Sequence, residues 1–265
     1  MRNFLVAAAL GIGLAAPAAQ AQQRDTTLTW SERVPDGRWI NVRNLNGPVR
    51  VERGSSDMVE ITAVKHVRRG DGSIVRFETA HYGPGDQDFF VCAVWGEGSR
   101  CTPDGYEGDR RDGDRTRRNE VMVEFTVKVP AGVKVAAHTV NSGVSVSGAG
   151  SEVNAGTVNG PVEIETSGGP VSASSVNGPV RVSMLGYRPT QNMDFSTVNG
   201  SVIVEFGGDI DAEVDLSTVN GRFVTDFPVT LSGRVDPRHL HATLGKGGPR
   251  LTLTTVNGNV ELRKH

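Results

Sequence analysis

Between Val140 and Met184 apolar and polar residues alternate in short runs, and the runs return at a fixed interval: "VNSGVSVSG", "AGSEVNAGT", "VNGPVEIET", "SGGPVSASS", "VNGPVRVSM". Every second block opens on Val-Asn, which sets Asn141, Asn159 and Asn177 18 residues apart. Asn199, Asn220 and Asn257 continue the series at intervals of 22, 21 and 37, and Asn46 in "LNGPVRV" is an earlier relative. The last interval is close to two repeats, with "LSGRV" from Leu231 as a degenerate copy between. A fixed period of this size marks stacked units, none of which can bury its apolar face alone.

Each unit predicts two short strands and two corners. Asn159 and Gly160 tolerate positive φ and so make a corner, and Pro161 opens the next segment where a lost N–H matters least. Val162 and Ile164 then point one way and Glu163 and Glu165 the other, the alternation of a strand with one wet face. Val144 and Val146, Val180 and Val182, and Val202 and Val204 hold equivalent inward positions. Stacking at about 4.8 Å places Val on Val inside and Asn on Asn at the corner, where amides can bond in a ladder. The expected fold class is all-β: a single-stranded β-solenoid, β-helix- or β-roll-like, with rungs of about 18–22 residues and Val-Asn-Gly corners. Asn-Gly is also a hairpin signal, but hairpins would pair neighbouring segments antiparallel, and identical triplets at the longer spacing favour parallel stacking. Calcium-binding nonapeptide rolls need Asp in every Gly-rich turn; these turns carry Asn, Ser and Pro.

Composition agrees with that picture: 33 glycines and only 6% aromatic residues suit β-structure with many tight turns. Outside the first residues no stretch carries a 3.6-residue apolar period. That N-terminal stretch reads as a secretory signal peptide over 1–21: Arg2 supplies the charged start, Phe4 to Ala16 the apolar run, and Ala19 and Ala21 the small residues before cleavage. The run is too short to span a bilayer as a helix, and no later stretch of the mature chain is apolar enough to do so. The expectation is one domain over 22–265, exported to the periplasm or beyond. A formal net charge of −2 creates no global field toward nucleic acid. Cys92 and Cys101, nine apart in "VCAVWGEGSRC", read as a disulfide closing a small loop in an oxidising compartment, since no further metal ligands lie at suitable spacing.

With these motifs assembled, the chain resembles the putative adhesin domain family of bacterial exported β-strand-repeat proteins. The resemblance rests on "VPDGRWINVRNLNGPVRVERGSSDMVEITAVKHV", "VEFTVKVPAGVKVAAHTVNSGVSV" and "LTLTTVNGNVEL", and it covers roughly Thr26 to Leu262. It implies an exported solenoid with an adhesive role, and it supplies no catalytic residues.

One segment departs from the repeat. Ala80 to Glu120 holds Tyr82, Phe89, Phe90, both cysteines, Trp95 and Tyr106, then a charged run, "DGYEGDRRDGDRTRRNE". An irregular insertion on a regular scaffold is either a lid over an open sheet edge or a binding loop, and its aromatics are the candidate contact residues. Asp109 and Glu120 have the end spacing of a calcium loop, but Arg111 and Gly113 stand where ligands belong.

A second candidate is "GDIDAEVDLS", where Ile210, Ala212, Val214 and Leu216 alternate inward and Asp209, Asp211, Glu213 and Asp215 share an outer face. A solvated face explains these carboxylates more simply than a cation site. His239 and His241 are two apart and can share a face, without an evident third ligand. "GVSVSG" has its serine out of register for a nucleophile elbow, and "GKGG" lacks the rest of a phosphate loop. No catalytic residues, cofactor or metal site are expected. The sequence points to a non-enzymatic envelope or surface interaction module, with a protein or glycan partner of unknown identity. A carbohydrate-active β-helix enzyme using the acidic strand is the alternative.

Overall fold

The computed structural model describes residues 25–108, 119–231 and 238–265. The expected leader, most of the charged run after Gly108 and the body of the degenerate copy after Leu231 lie outside the described residues. Among the described residues there are strands throughout and no α-helix. The N-terminal part supplies β1 (Thr26–Glu32), β2 (Trp39–Arg43), β3 (Val49–Arg53), β4 (Val59–Arg69), β5 (Val75–Tyr82), β6 (Asp88–Trp95), β7 (Arg100–Cys101), β8 (Tyr106–Glu107) and β9 (Glu120–Val129). The repeat region supplies β10 (Lys134–His138), β11 (Val144–Ala149), β12 (Val153–Asn159), β13 (Val162–Thr166), β14 (Val171–Asn177), β15 (Val180–Met184), β16 (Met193–Asn199) and β17 (Val202–Phe206). The last part supplies β18 (Ala212–Asn220), β19 (Phe223–Thr225), β20 (Val229–Leu231), β21 (His239–Leu244), β22 (Arg250–Asn257) and β23 (Val260–Lys264).

Successive strands of the repeat alternate between two sheets. Sheet A runs β1-β4-β9-β3-β11-β13-β15-β17-β23-β19, and sheet B runs β20-β21-β18-β22-β16-β14-β12-β10-β2-β6-β5. Within the repeat the pairing is parallel and joins equivalent residues, as in Val144↔Val162 and Val162↔Val180 in sheet A and Asn159↔Asn177 in sheet B. Antiparallel strands are confined to the two ends, so both sheets are mixed.

The alternation of the sequence becomes the division between core and surface. Val144, Val146, Val162, Ile164, Val180, Val182, Val202 and Val204 are buried in one continuous core to which both sheets contribute. Glu163 and Glu165, between two of these, are exposed. Each inward Val is worth about 1.5–3 kcal/mol relative to an exposed one, so the core supplies the gross driving force.

The corners supply the register. Nδ2 of Asn159 donates to Oδ1 of Asn141 (2.9 Å), and the pattern repeats from Asn177 to Asn159 (2.9 Å) and from Asn199 to Asn177 (2.8 Å). The residue two before each Asn points inward and donates its hydroxyl to the next corner: Thr157 to the Ser142 carbonyl (2.7 Å), Ser175 to that of Gly160 (2.9 Å), Thr197 to that of Gly178 (2.8 Å). At Gly160, Gly178 and Gly200 the glycine is required for contact rather than for positive φ, since these three, unlike Gly47 and Gly258, are not among the residues with positive φ. A Cβ on Gly178 would lie 2.0 Å from the Gly160 carbonyl oxygen, so stacking at strand spacing leaves no room for a side chain.

The stacking order departs from chain order at both ends, which corrects the expectation of consecutive rungs. At the far end β22 pairs with β16 on one side and β18 on the other, and β23 likewise lies between β17 and β19. The amide ladder therefore runs Asn199, Asn257, Asn220: Asn257 donates to Asn199 (2.8 Å) and Asn220 to Asn257 (2.7 Å). The interval of 37 residues is accordingly an outward excursion followed by the return of the last rung into the stack. At the near end β2 and β3 stack directly on β10 and β11, and Asn46 bridges Asn141 although 95 residues separate them. Asn46 leaves the side-chain ladder there, its Nδ2 donating to the Val121 carbonyl (2.8 Å).

Part of the segment expected to be an irregular insertion belongs to the sheets. β6 lies parallel to β2 as a regular strand of sheet B, β5 pairs antiparallel with β6, and Glu120 opens β9 beside β3. Together with β1 and β4 these strands occupy the near end of the stack.

Replacing Gly178 by Ala should cost about 2 kcal/mol or more, because the Gly160–Pro161 backbone that the new Cβ would meet must move. Val180→Asp should unfold the neighbouring rungs, whereas Glu163→Gln should change stability by less than about 0.5 kcal/mol. Urea denaturation followed by circular dichroism measures all three, and equal effects at Val180 and Glu163 would reverse the assignment of faces.

Candidate functional site

Three of the five aromatics expected to form a contact loop are packed inside. Phe89, Phe90 and Trp95 are all buried, as is every residue of β6. Alternate residues of β6 face opposite ways: Phe89, Val91, Ala93 and Trp95 enter the main core, while Phe90, Cys92 and Val94 form a small second core on the outer side. Cys101 covers that outer side through its disulfide to Cys92, with Tyr82 and Tyr106 packed against it. Tyr106 is fixed through its hydroxyl, which accepts from the Trp95 N–H and donates to the Trp95 carbonyl, each at 3.1 Å. The loop is thus a clamp on the outer face of sheet B; Phe89, Phe90 and Trp95 are packing residues, while Tyr82 and Tyr106 stay half-buried at its surface.

The acidic strand is engaged with its own neighbours. β21 pairs antiparallel with β18 and sets His241 opposite Asp215 and Thr243 opposite Glu213. Nδ1 of His241 lies 2.9 Å and Nε2 of His239 3.8 Å from Oδ1 of Asp215, with Arg250 Nε 3.4 Å from the other oxygen. Glu213 accepts from the Thr243 hydroxyl at 3.1 Å, Asp211 from the Lys246 N–H at 2.8 Å, and Asp209 pairs with Lys264 at 2.8 Å. The acidic strand and the histidine pair, singled out separately in the sequence, therefore form one patch whose carboxylates are held by hydrogen bonds and by Arg250 and Lys264. Among the described residues no group of three or more His, Cys, Asp or Glu is arranged to hold a metal ion.

A different surface is left without internal partners. The Val of each Val-Asn-Gly faces outward because its two neighbours are committed: the residue before it turns its hydroxyl inward and the Asn after it joins the ladder. In stacking order Val158, Val176, Val198, Val256 and Val219 form a row on sheet B, each between 38% and 51% exposed. At about 4.8 Å per strand the row is about 19 Å long. Asparagine amides line one side of it. On the other side, two positions back along each strand, lie Ser174, Ser196, Thr254 and Ser217.

That second row changes character at its near end, where it reads Gly156, His138 and Arg43. Gly156 leaves a gap beside the His138 ring, and a Cβ there would stand 2.9 Å from His138 Nδ1. The result is a cleft of about 290 Å³ lined by Arg43, Tyr106, His138, Gly156, Val158 and Ser174. Arg43 is held by the clamp, Nε donating to the Pro103 carbonyl at 2.9 Å, and burial lowers its pKa despite nearby Asp104. Burial, reinforced by the Arg43 charge, pushes the His138 pKa down to about 4, so this imidazole is neutral near pH 7. Sequence reading overlooked Arg43 and His138 because they lie outside the triplet. Both stand three residues before a corner Asn, and aligning the copies on that Asn would have revealed the row.

Comparison with known proteins adds little. No family model and no curated protein matches the chain. Among solved structures it is similar to a putative cell adhesion protein from Clostridium sporogenes ATCC 15579, at TM-score 0.42 and 7% identity, over 92% of this chain and 100% of that one. It is also similar to putative adhesins from Bacteroides fragilis NCTC 9343 (TM-score 0.25, 10% identity, 89% and 97% covered) and Parabacteroides merdae ATCC 43184 (TM-score 0.26, 12% identity, 89% and 95% covered). Backbone agreement at this level carries no functional argument.

The His138 environment makes stability depend on pH. Its folded pKa of about 4 lies below the ordinary 6.5, so the unfolded chain takes up the proton first. The contribution is complete above about pH 6.5 and is lost as pH falls toward 4, with a total on the order of 1–3 kcal/mol. Urea denaturation at intervals across that window should show the loss, and His138→Gln should flatten it.

Proposed function

We propose that this chain is a non-enzymatic, exported interaction module in which a β-solenoid presents the outer face of sheet B to an envelope or surface partner. The observation that carries this reading is the exposed Val row. The solenoid is supported by parallel pairing between strands two apart in the chain and by the repeated corner. Export is supported by the leader-like N-terminus and by a disulfide, which persists in oxidising compartments. Among the described residues no helix is long and apolar enough to cross a membrane.

A regular row of apolar side chains between two polar rows suits an extended partner lying along the stack, whether polypeptide or glycan. The Arg43–His138 cleft at one end would fix where such a partner stops. Contiguous exposed apolar surface flanked by polar residues is a mark of interaction sites.

The test is capture from envelope and culture-supernatant fractions by the intact mature protein and by a Val158→Glu, Val176→Glu, Val198→Glu variant. Because these side chains face water, the variant should keep its circular dichroism spectrum and lose the partner. Equal capture by both proteins would move the contact off the row. Release of reducing or unsaturated ends from a polysaccharide panel would overturn the non-enzymatic reading.

A further inference from the structure

Each of the two sheets has two edges, and three of these four are guarded. β19 and β20 are only three residues long. β5 carries Arg76, Glu78 and His81, and the clamp loop lies against it: Arg76 donates to the carbonyls of Gly96 and Ser99, and Glu78 accepts from the Cys101 N–H at 3.0 Å. Short length, charge and loop cover are the usual means by which proteins keep sheet edges from pairing.

β1 is less guarded: its one charged side chain, Glu32, stands at its very end, 3.7 Å from His81 of β5. It is seven residues long, reads TTLTWSE without proline, lysine or arginine, and among the described residues pairs along its whole length with β4 on one side only. It also overhangs the stack. Beyond β3, sheet A adds β9, β4 and β1, whereas beyond β2 sheet B adds only β6 and β5. The inward face of β1 therefore lacks a full opposing strand. Leu28 and Trp30 stand opposite Ala63 and Ile61, both buried, yet are only half-buried themselves. Trp30 leans on Phe77 of β5, ring centroids 5.4 Å apart, and Phe77 meets Phe125 edge-on at 6.0 Å, so the overhang is tied to the core through aromatic contacts.

We propose that β1 is a self-association edge, pairing antiparallel with β1 of a second copy about a two-fold axis at Thr29. That register is self-complementary. It sets Leu28 opposite Trp30 of the second copy and Trp30 opposite its Leu28, so the half-buried residues on the inward face cover each other. It sets Thr27 opposite Ser31, hydroxyl to hydroxyl, and Thr26 opposite Glu32, with no like charges facing. Thr29 meets its own copy on the outer face, where it is exposed. Main-chain hydrogen bonds supply the affinity and the Leu–Trp pairs the register, as in strand addition to a sheet edge. The two stacks then join end to end through a continuous sheet A.

The experiment is sedimentation velocity over a concentration series on the chain from residue 22 onward, with Thr29→Lys and Thr29→Glu alone and mixed. Thr29 points to solvent opposite Thr62, so either variant should fold as the wild type does, which circular dichroism checks. The wild type should form a concentration-dependent dimer. Each variant alone places like charges across the axis and should dimerise at least about fivefold more weakly, and the equimolar mixture should recover a heterodimer. A wild type that stays monomeric through the series overturns the proposal. So do variants that dimerise as well as the wild type, or a mixture that fails to recover. The triple Val→Glu variant should dimerise normally, which separates this result from the partner-binding test.

Discussion

The whole architecture depends on how closely one corner can approach the next. Parallel strands stack at about 4.8 Å, and a chain that turns between strands must hold that spacing through the turn as well. In this protein the spacing is met by removing a side chain at the glycine, where a Cβ on Gly178 would stand 2.0 Å from the carbonyl of the rung below. That carbonyl, of Gly160, is then used, accepting the hydroxyl of Ser175 at 2.9 Å. The amide ladder adds a third link outside. Each Thr-Val-Asn-Gly copy thus supplies an inward hydroxyl, an outward apolar side chain, a ladder amide and a bare backbone. The Val core provides more free energy but tolerates any order of rungs, since one buried Val resembles another.

That tolerance explains the non-sequential stacking. Asn199, Asn257 and Asn220 present the same amide and the same glycine, so a late rung fits between two earlier ones as well as it would beyond them. What decides the order is the material between the copies. The residues after Asn220 form β19, then β20 and β21, and β21 pairs antiparallel with the outer side of β18. With β18 occupied on that side, the returning β22 finds its place on the other, between β18 and β16. The near end follows the same logic: β6 and β9 close over β2 and β3, and this leaves the opposite sides of β2 and β3 free for β10 and β11.

Legibility in the sequence followed periodicity. Wherever one face is wet, as in Val162 to Glu165, alternation announced which residues enter the core. It failed at "DFFVCAVW", because β6 is buried on both faces and its continuous apolar run carries no alternation to read. The aromatics there therefore resembled an irregular contact loop when they were filling two cores. The disulfide was legible from spacing and compartment, but its purpose, covering the outer side of β6, depends on a strand pairing that no local pattern encodes. Rung order was illegible for the reason given above: copies that are interchangeable in chemistry are interchangeable in prediction. The histidine pair and the acidic strand suffered likewise, being brought together only by the antiparallel return of β21.

The outward Val remains to be weighed between scaffold and function. A β-branched residue favours a strand wherever it stands, so propensity alone accounts for branching at that position. It does not account for an apolar group, since Thr is equally branched and would present a hydroxyl to water. The neighbouring outward row does carry Ser and Thr, at Ser174, Ser196, Thr254 and Ser217, in the same strands although three of the four are less exposed than the Val residues. Elsewhere some carboxylates do meet cations, as Asp215 meets Arg250 and Asp209 meets Lys264. Among the described residues the Val row is an extended apolar surface that stays exposed. An exposed apolar row held straight by an amide ladder on one side and hydroxyls on the other is a feature that a partner's surface would complete.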